Sequence, residues 1–245
     1  MEMILFILVI SVLGPMIGSL IGVLKRPTES FMFKMLSFAA GVMLGISFLQ
    51  LIPESIELSS IWICIFGIVA GSVIMFGFDK LIPHINPELC QEEPKHRLKK
   101  TAVYIFFGIF LHNFPEGMAI GIGSVAGFKL SIAIALAIAV HDIPEAICTS
   151  APYYYISKKR LKSFLVSVST AIPTIVGFLF SYFLFQNIPL QIVGLLIAAT
   201  AGLMIYISGD ELIPTSCNKH NKNWDHGVIF ALILGIVFVL LLKLI

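Results

Sequence analysis

The sequence predicts an all-α fold: a polytopic membrane bundle of eight transmembrane helices, in one domain covering residues 1–245. Three observations predict it. Hydrophobic residues make up 58% of the chain and charged residues only 12%, where a soluble domain carries about 25% charge. The apolar residues gather into eight runs, each of about 20 residues and so long enough to span the bilayer core as a helix. The basic residues concentrate in alternate connections between those runs. Several runs are Gly-, Ile- and Val-rich and continuous, as buried parallel strands would be. Their length, and the absence of amphipathic helices to cover a sheet, excludes that reading.

In chain order, the first segment covers about residues 3–24. It lacks the basic region and small-residue cleavage site of a signal peptide, so Met1–Val23 reads as a retained helix. The second, 32–53, ends in LIPES (Leu51–Ser55), and the third covers 60–82. Residues 84–100 then form a charged loop rich in Pro, Glu and Lys. The fourth and fifth segments, 101–126 and 130–153, are joined by a turn near Gly127–Leu130, short enough to make them antiparallel neighbours. The sixth, seventh and eighth cover 162–185, 189–209 and 227–244, the seventh running into DELIP (Asp210–Pro214). LIPES and DELIP leave their segments on opposite faces, as an inverted repeat relating segments one to three to segments six to eight around segments four and five would require.

Connection one holds Lys25 and Arg26, and connection three Lys95, Arg97, Lys99 and Lys100. Connection five holds Lys158, Lys159, Arg160 and Lys162, and connection seven Lys219 and Lys222; the even connections hold little beyond Lys129. Odd connections are therefore expected in the cytoplasm and both termini outside, in a multi-pass protein of the cell membrane. The net charge of +2 does not interleave with aromatics, so no nucleic-acid partner is expected. Cys64, Cys90, Cys148 and Cys217 lack CxxC spacing and give no disulfide framework.

The chemistry sits where the apolar pattern forbids it. Segment four carries HNFPEG (His112–Gly117) and segment five HDIPEA (His141–Ala146). His112 and Glu116 are four apart, as are His141 and Glu145, and each pair shares a helix face; Asn113 and Asp142 hold matching places. Glu116 and His141 each lie about 12 residues from the turn, roughly 18 Å deep at 1.5 Å per residue. Unpaired carboxylates at that depth cost several kcal/mol. With no Lys or Arg nearby in either segment, a divalent cation is the natural counter-charge for Glu116, Asp142 and Glu145. Pro115 and Pro144 each remove an intrahelical hydrogen bond, freeing the carbonyls of Leu111 and Val140. A structural hydrogen-bond cluster and a metal-free proton relay are the competing uses. A hydrolase is not supported, since HExxH is absent and no enzyme activity is expected. A metal-selective channel is a closer rival, but strong His and carboxylate ligation slows release and favours a gated carrier.

At HNFPEG and HDIPEA the chain resembles the Zrt/Irt-like (ZIP) metal-ion transporter family, in its prokaryotic branch. The resemblance extends to FAAGVMLGISFLQLIPES (Phe38–Ser55) and SGDELIP (Ser208–Pro214). It implies import of divalent cations such as Zn2+ as substrate, with Fe2+, Mn2+, Cd2+ or Co2+ as further candidates, in a protein that is commonly a homodimer. It implies a first metal site at His112, Glu116, His141 and Glu145, with Met43 from segment two as either ligand or core. A second, adjacent site would use Asn113, Glu116, Asp142 and Glu145. Asp210 and Glu211 would line the inner exit, and His84 and His96 of the loop would gather released metal. Two departures stand out. The second motif has Asp142 and Ala146 where many relatives have Asn and Gly, and Ile172 stands before Pro173 where many relatives place a bridging Glu. Loss of that carboxylate is expected to weaken the second site or leave room for one metal. A nontransporting metal sensor or metal-binding structural protein remains the alternative function, because binding alone explains the ligands.

Overall fold

The computed structural model describes residues 2–24, 28–81, 113–125, 127–185, 189–216, 226–242 and 244. Among them the chain is helical throughout and contains no strand. Helix α1 spans Glu2–Leu24. Helix α2 (Glu29–Ile46) is capped by Thr28, whose hydroxyl oxygen accepts the Phe31 amide at 3.3 Å, meeting one of the donors orphaned at a helix start. A π turn, Ser47–Leu51, leads into the short α3 (Ile52–Leu58), and α4 spans Ile61–Leu81. Residues 113–125 form α5, the described part of segment four. Helix α6 (Phe128–Ser157) ends at Lys158, whose left-handed conformation (φ 55°) turns the chain into α7 (Arg160–Val168). Helix α8 spans Ala171–Leu184 and α9 Leu190–Ile207; a second π turn, Ser208–Leu212, leads to α10 (Ile213–Ser216), and α11 is His226–Leu242.

Six of the described stretches are long and apolar enough to cross a membrane: Leu5–Leu24, Phe33–Leu58, Ile61–Phe78, Phe128–Ala151, Arg160–Leu184 and Leu190–Leu212. Helix α11 is apolar but shorter. These stretches match segments one, two, three, five, six and seven. Residues 101–112 of segment four lie outside the described residues. Apolar side chains cover the outside of the bundle as well as filling its core. On α4, Trp62, Phe66, Val69 and Val73 are all more than half exposed and share one face, an arrangement suited to lipid. Serines and threonines are instead buried between helices.

A proline follows each π turn: Pro53 and Pro214 have no amide hydrogen and cannot continue the ladder of donors. Just before each proline the ladder widens: Ile52 N–H donates to the Ser47 carbonyl and Ile213 N–H to the Ser208 carbonyl, five residues back. At each turn's start a serine hydroxyl donates back one turn, Ser47 Oγ to the Met43 carbonyl (2.9 Å) and Ser208 Oγ to the Met204 carbonyl (2.8 Å). The sequences correspond over a longer stretch than the two proline ends. Ala40, Gly41, Met43, Ile46 and Ser47 recur as Ala201, Gly202, Met204, Ile207 and Ser208. Their neighbours correspond as well: Gly41 lies against the Leu232 carbonyl of α11, and Gly202 against the Ile68 carbonyl of α4. A Cβ at either glycine would collide with that backbone. Helix α1 packs along α6, and α2 packs against both α11 and α6. The core they enclose is built of Ala39, Val42, Met43, Ile46, Ile134, Ile138 and Met204, and it positions α6 at the centre of the molecule.

Candidate metal centre

Helices α5 and α6 run antiparallel on either side of Gly127, as the spacing of the sequence predicts. The Ser131 hydroxyl of α6 donates to the Ile120 carbonyl of α5 at 2.9 Å and fixes their register. Further from Gly127, Glu116 of α5 meets His141 of α6. The ring Nε2 stands 3.0 Å from Glu116 Oε1 and 3.4 Å from Asp142 Oδ1. Glu116 and His141 are fully buried, and Asn113, Asp142 and Glu145 are almost so. One ligand atom from each of Glu116, His141 and Asp142 lies within 4.8 Å of the other two, close enough to share an ion.

The surroundings set the histidine's chemistry. Its Nδ1 lies 3.2 Å from the Ala137 carbonyl, one turn back on α6. A carbonyl oxygen only accepts, so this contact keeps the proton on Nδ1 and leaves the Nε2 lone pair directed at the carboxylates. A backbone carbonyl holding the far ring nitrogen is the usual support of a metal-binding imidazole. Neighbouring carbonyls are also committed: the Thr149 hydroxyl donates to the Glu145 carbonyl at 2.9 Å. Among the described residues no lysine or arginine is buried, so none of these offsets the carboxylates of the cluster.

Helix α8 supplies the third wall. Asn113 Nδ2 donates to the Thr170 carbonyl at 2.7 Å, which fixes the amide and leaves Oδ1 without a hydrogen bond. One turn on, Gly117 lies so close to the Thr174 carbonyl that any Cβ would collide with it. The glycine of HNFPEG thus serves helix approach beside the carboxylate. In HDIPEA the same place is Ala146, and there the neighbouring helix supplies the glycine: Gly18 of α1 lies against Ile143 and Ala146. This is why the alanine is accommodated.

The remaining expected site residues fall elsewhere or beyond view. His112, like the loop histidines His84 and His96, lies outside the described residues. Glu145 is buried on the face of α6 that carries His141, one turn along. Met43 is fully buried among the apolar side chains of the core. Asp210 is exposed and Glu211 half-buried, both on the second π turn. Ile172 is 52% exposed, turned away from the packed interior. Sequence reasoning missed Gln50, which occupies on the first π turn the place of Glu211 on the second; it is buried and its Oε1 has no hydrogen-bond partner. The signal available was the extended match between Ala40–Ser47 and Ala201–Ser208.

A family model described as ZIP Zinc transporter matches residues 84–243. The protein named Zinc transporter ZupT of Salmonella heidelberg (strain SL476) is 31% identical over 235 residues, covering 92% of this chain and 91% of the relative. The proteins of the same name from Salmonella newport (strain SL254) and Salmonella agona (strain SL483) are similar to the same extent, 31% over 235 residues.

Proposed function

The chain belongs to the ZIP zinc transporter family, and we propose that it imports divalent transition-metal cations, zinc foremost, into the cytoplasm through the α5–α6 site. The observation that carries this reading is the buried set of Glu116, His141 and Asp142, with ligand atoms within 4.8 Å of one another and no buried lysine or arginine among the described residues. Such a set is costly without a cation and well suited to one that binds imidazole and carboxylate. Glu145 and His112 complete the first coordination shell; Asn113 and Asp142 extend it.

In the transport cycle, an outward-open form exchanges the water shell of the ion for His141 Nε2 and the carboxylates. Closure above the site and opening below then pass the ion toward Asp210 and Glu211. The cargo is moved without chemical conversion. The bundle has eight spans, both termini outside and the basic connections in the cytoplasm, by the distribution of Lys and Arg. Segments one to three and six to eight form an inverted repeat, a reading supported by the paired π turns and the matched packing of Gly41 on α11 and Gly202 on α4. A homodimer would use an apolar helix face.

Uptake of zinc-65 into proteoliposomes tests the proposal. Saturable uptake is expected from the unmodified protein and its loss from Glu116→Ala and Glu145→Ala. Saturable uptake undiminished in both variants would reject the site. Metal binding without any saturable flux would reject transport and leave a membrane metal sensor or structural protein. Competition among zinc, iron, manganese, cobalt and cadmium in the same assay ranks the substrates.

A further inference from the structure

Membrane helices hide hydroxyl groups by bonding them to a carbonyl, commonly one turn back on the same helix. This chain does so almost without exception. Ser47, Thr149, Ser181, Thr200 and Ser208 each donate to the carbonyl four residues earlier. Every other buried serine and threonine among the described residues also has a partner, save one: Thr174 is fully buried and its Oγ1 makes no hydrogen bond. The carbonyl that would normally take its proton, that of Thr170, already accepts Asn113 Nδ2. An unmet hydroxyl in the interior costs free energy, and such groups gather at sites completed by something else.

Its position says what completes it. Helices α5 and α8 run parallel and in register, with Asn113 on Thr170, Gly117 on Thr174 and Gly121 on Phe178. The turn of α8 from Thr170 to Thr174 therefore lies along the turn of α5 that holds Asn113 and Glu116. Two further oxygens on that α5 turn also lack hydrogen bonds, Asn113 Oδ1 and Glu116 Oε2. Ile172, two residues before Thr174, is turned outward.

We propose that the Thr174 hydroxyl is the contribution of α8 to the metal site: a neutral oxygen ligand beside Asn113 and Glu116 that favours cations with a preference for oxygen. The inference rests on the α5–α6 site proposed above and deepens it. A hydroxyl adds no negative charge, so Glu116, Asp142 and Glu145 face a single divalent ion rather than a pair. Hydroxyl and amide oxygens are hard ligands, which hold Mn2+ better, relative to Zn2+, than imidazole does.

The test compares binding of Zn2+ and of Mn2+, by titration calorimetry, to the full chain purified in detergent. Thr174→Val, which keeps the shape and removes the hydroxyl, is expected to weaken Mn2+ binding about tenfold and Zn2+ binding less than about twofold, the loss of one neutral ligand oxygen. Thr174→Ser restores Mn2+ binding. The metal-free melting temperature of Thr174→Val is expected to equal or exceed that of the parent, because no hydrogen bond is lost. Unchanged Mn2+ affinity in Thr174→Val, or a lowered metal-free melting temperature showing an internal partner for the hydroxyl, overturns the inference. Glu116→Ala, expected to lose both metals, separates the two levels. If it binds both as the parent does, the α5–α6 site itself fails, whereas an effectless Thr174→Val alongside a defective Glu116→Ala removes Thr174 alone.

Discussion

The dipeptide Pro-Glu occurs three times in membrane segments of this chain, at Pro53-Glu54, Pro115-Glu116 and Pro144-Glu145, and the molecule treats the three differently. Glu116 and Glu145 are buried within helices that continue past the proline, at the level where α5, α6 and α8 meet. Glu54 is only half-buried, follows a π turn and lies on the short helix that ends its span. The contrast teaches that a Pro-Glu dipeptide does not by itself bury its carboxylate: a place deep in the bundle does so for Glu116 and Glu145, and Glu116 there faces His141.

The comparison can be broken at several points. The largest effect is expected at Glu116. Glu116→Gln removes the charge that faces His141, and zinc affinity measured by calorimetry should fall about 100-fold or more, since the loss of one buried charged partner costs roughly 3–5 kcal/mol. Next comes Gly117→Val, which drives a side chain into the Thr174 carbonyl; thermal unfolding in detergent should report destabilisation of about 2–3 kcal/mol, with metal affinity reduced because α5 and α8 are forced apart. Ser47→Ala and Ser208→Ala each delete one hydroxyl-to-carbonyl bond at a π turn and should cost about 0.6 kcal/mol in the same assay. Glu54→Gln should be the mildest, changing zinc uptake by less than about twofold, as expected of a half-buried charge away from the site. A Glu54 variant as defective as the Glu116 variant would erase the distinction between segment end and segment centre.

Much of this was legible in the sequence because hydropathy and the period of 3.6 act over long windows. The helical spans, the α5–α6 hairpin and the convergence of Glu116 with His141 all follow from apolar runs, a short turn and residue spacing. The π turns do not, since a shift from a four- to a five-residue hydrogen bond leaves hydropathy unchanged; only the prolines hint at it. The rotation of α8 was also hidden. Placing Ile172 outward and Thr174 inward depends on which carbonyl packs against Gly117, a tertiary contact. Met43 was ambiguous for a different reason: a methionine suits an apolar core and a thioether ligand equally, and its surroundings are core.

The close pairing of α5 and α6 bears also on how the chain is made. A hydroxyl bonded to its own helix, such as that of Ser47 or Thr200, is satisfied as soon as that helix forms. Glu116 and His141 have no such refuge. Inserted one at a time, each helix would carry its polar group bare into hydrocarbon. Because so few residues separate Val125 of α5 from Phe128 of α6, the two can leave the translocation machinery together, with Glu116 and His141 already 3.0 Å apart. The shortness of that turn thus makes the hairpin, rather than the single helix, the unit of membrane insertion in the middle of this protein.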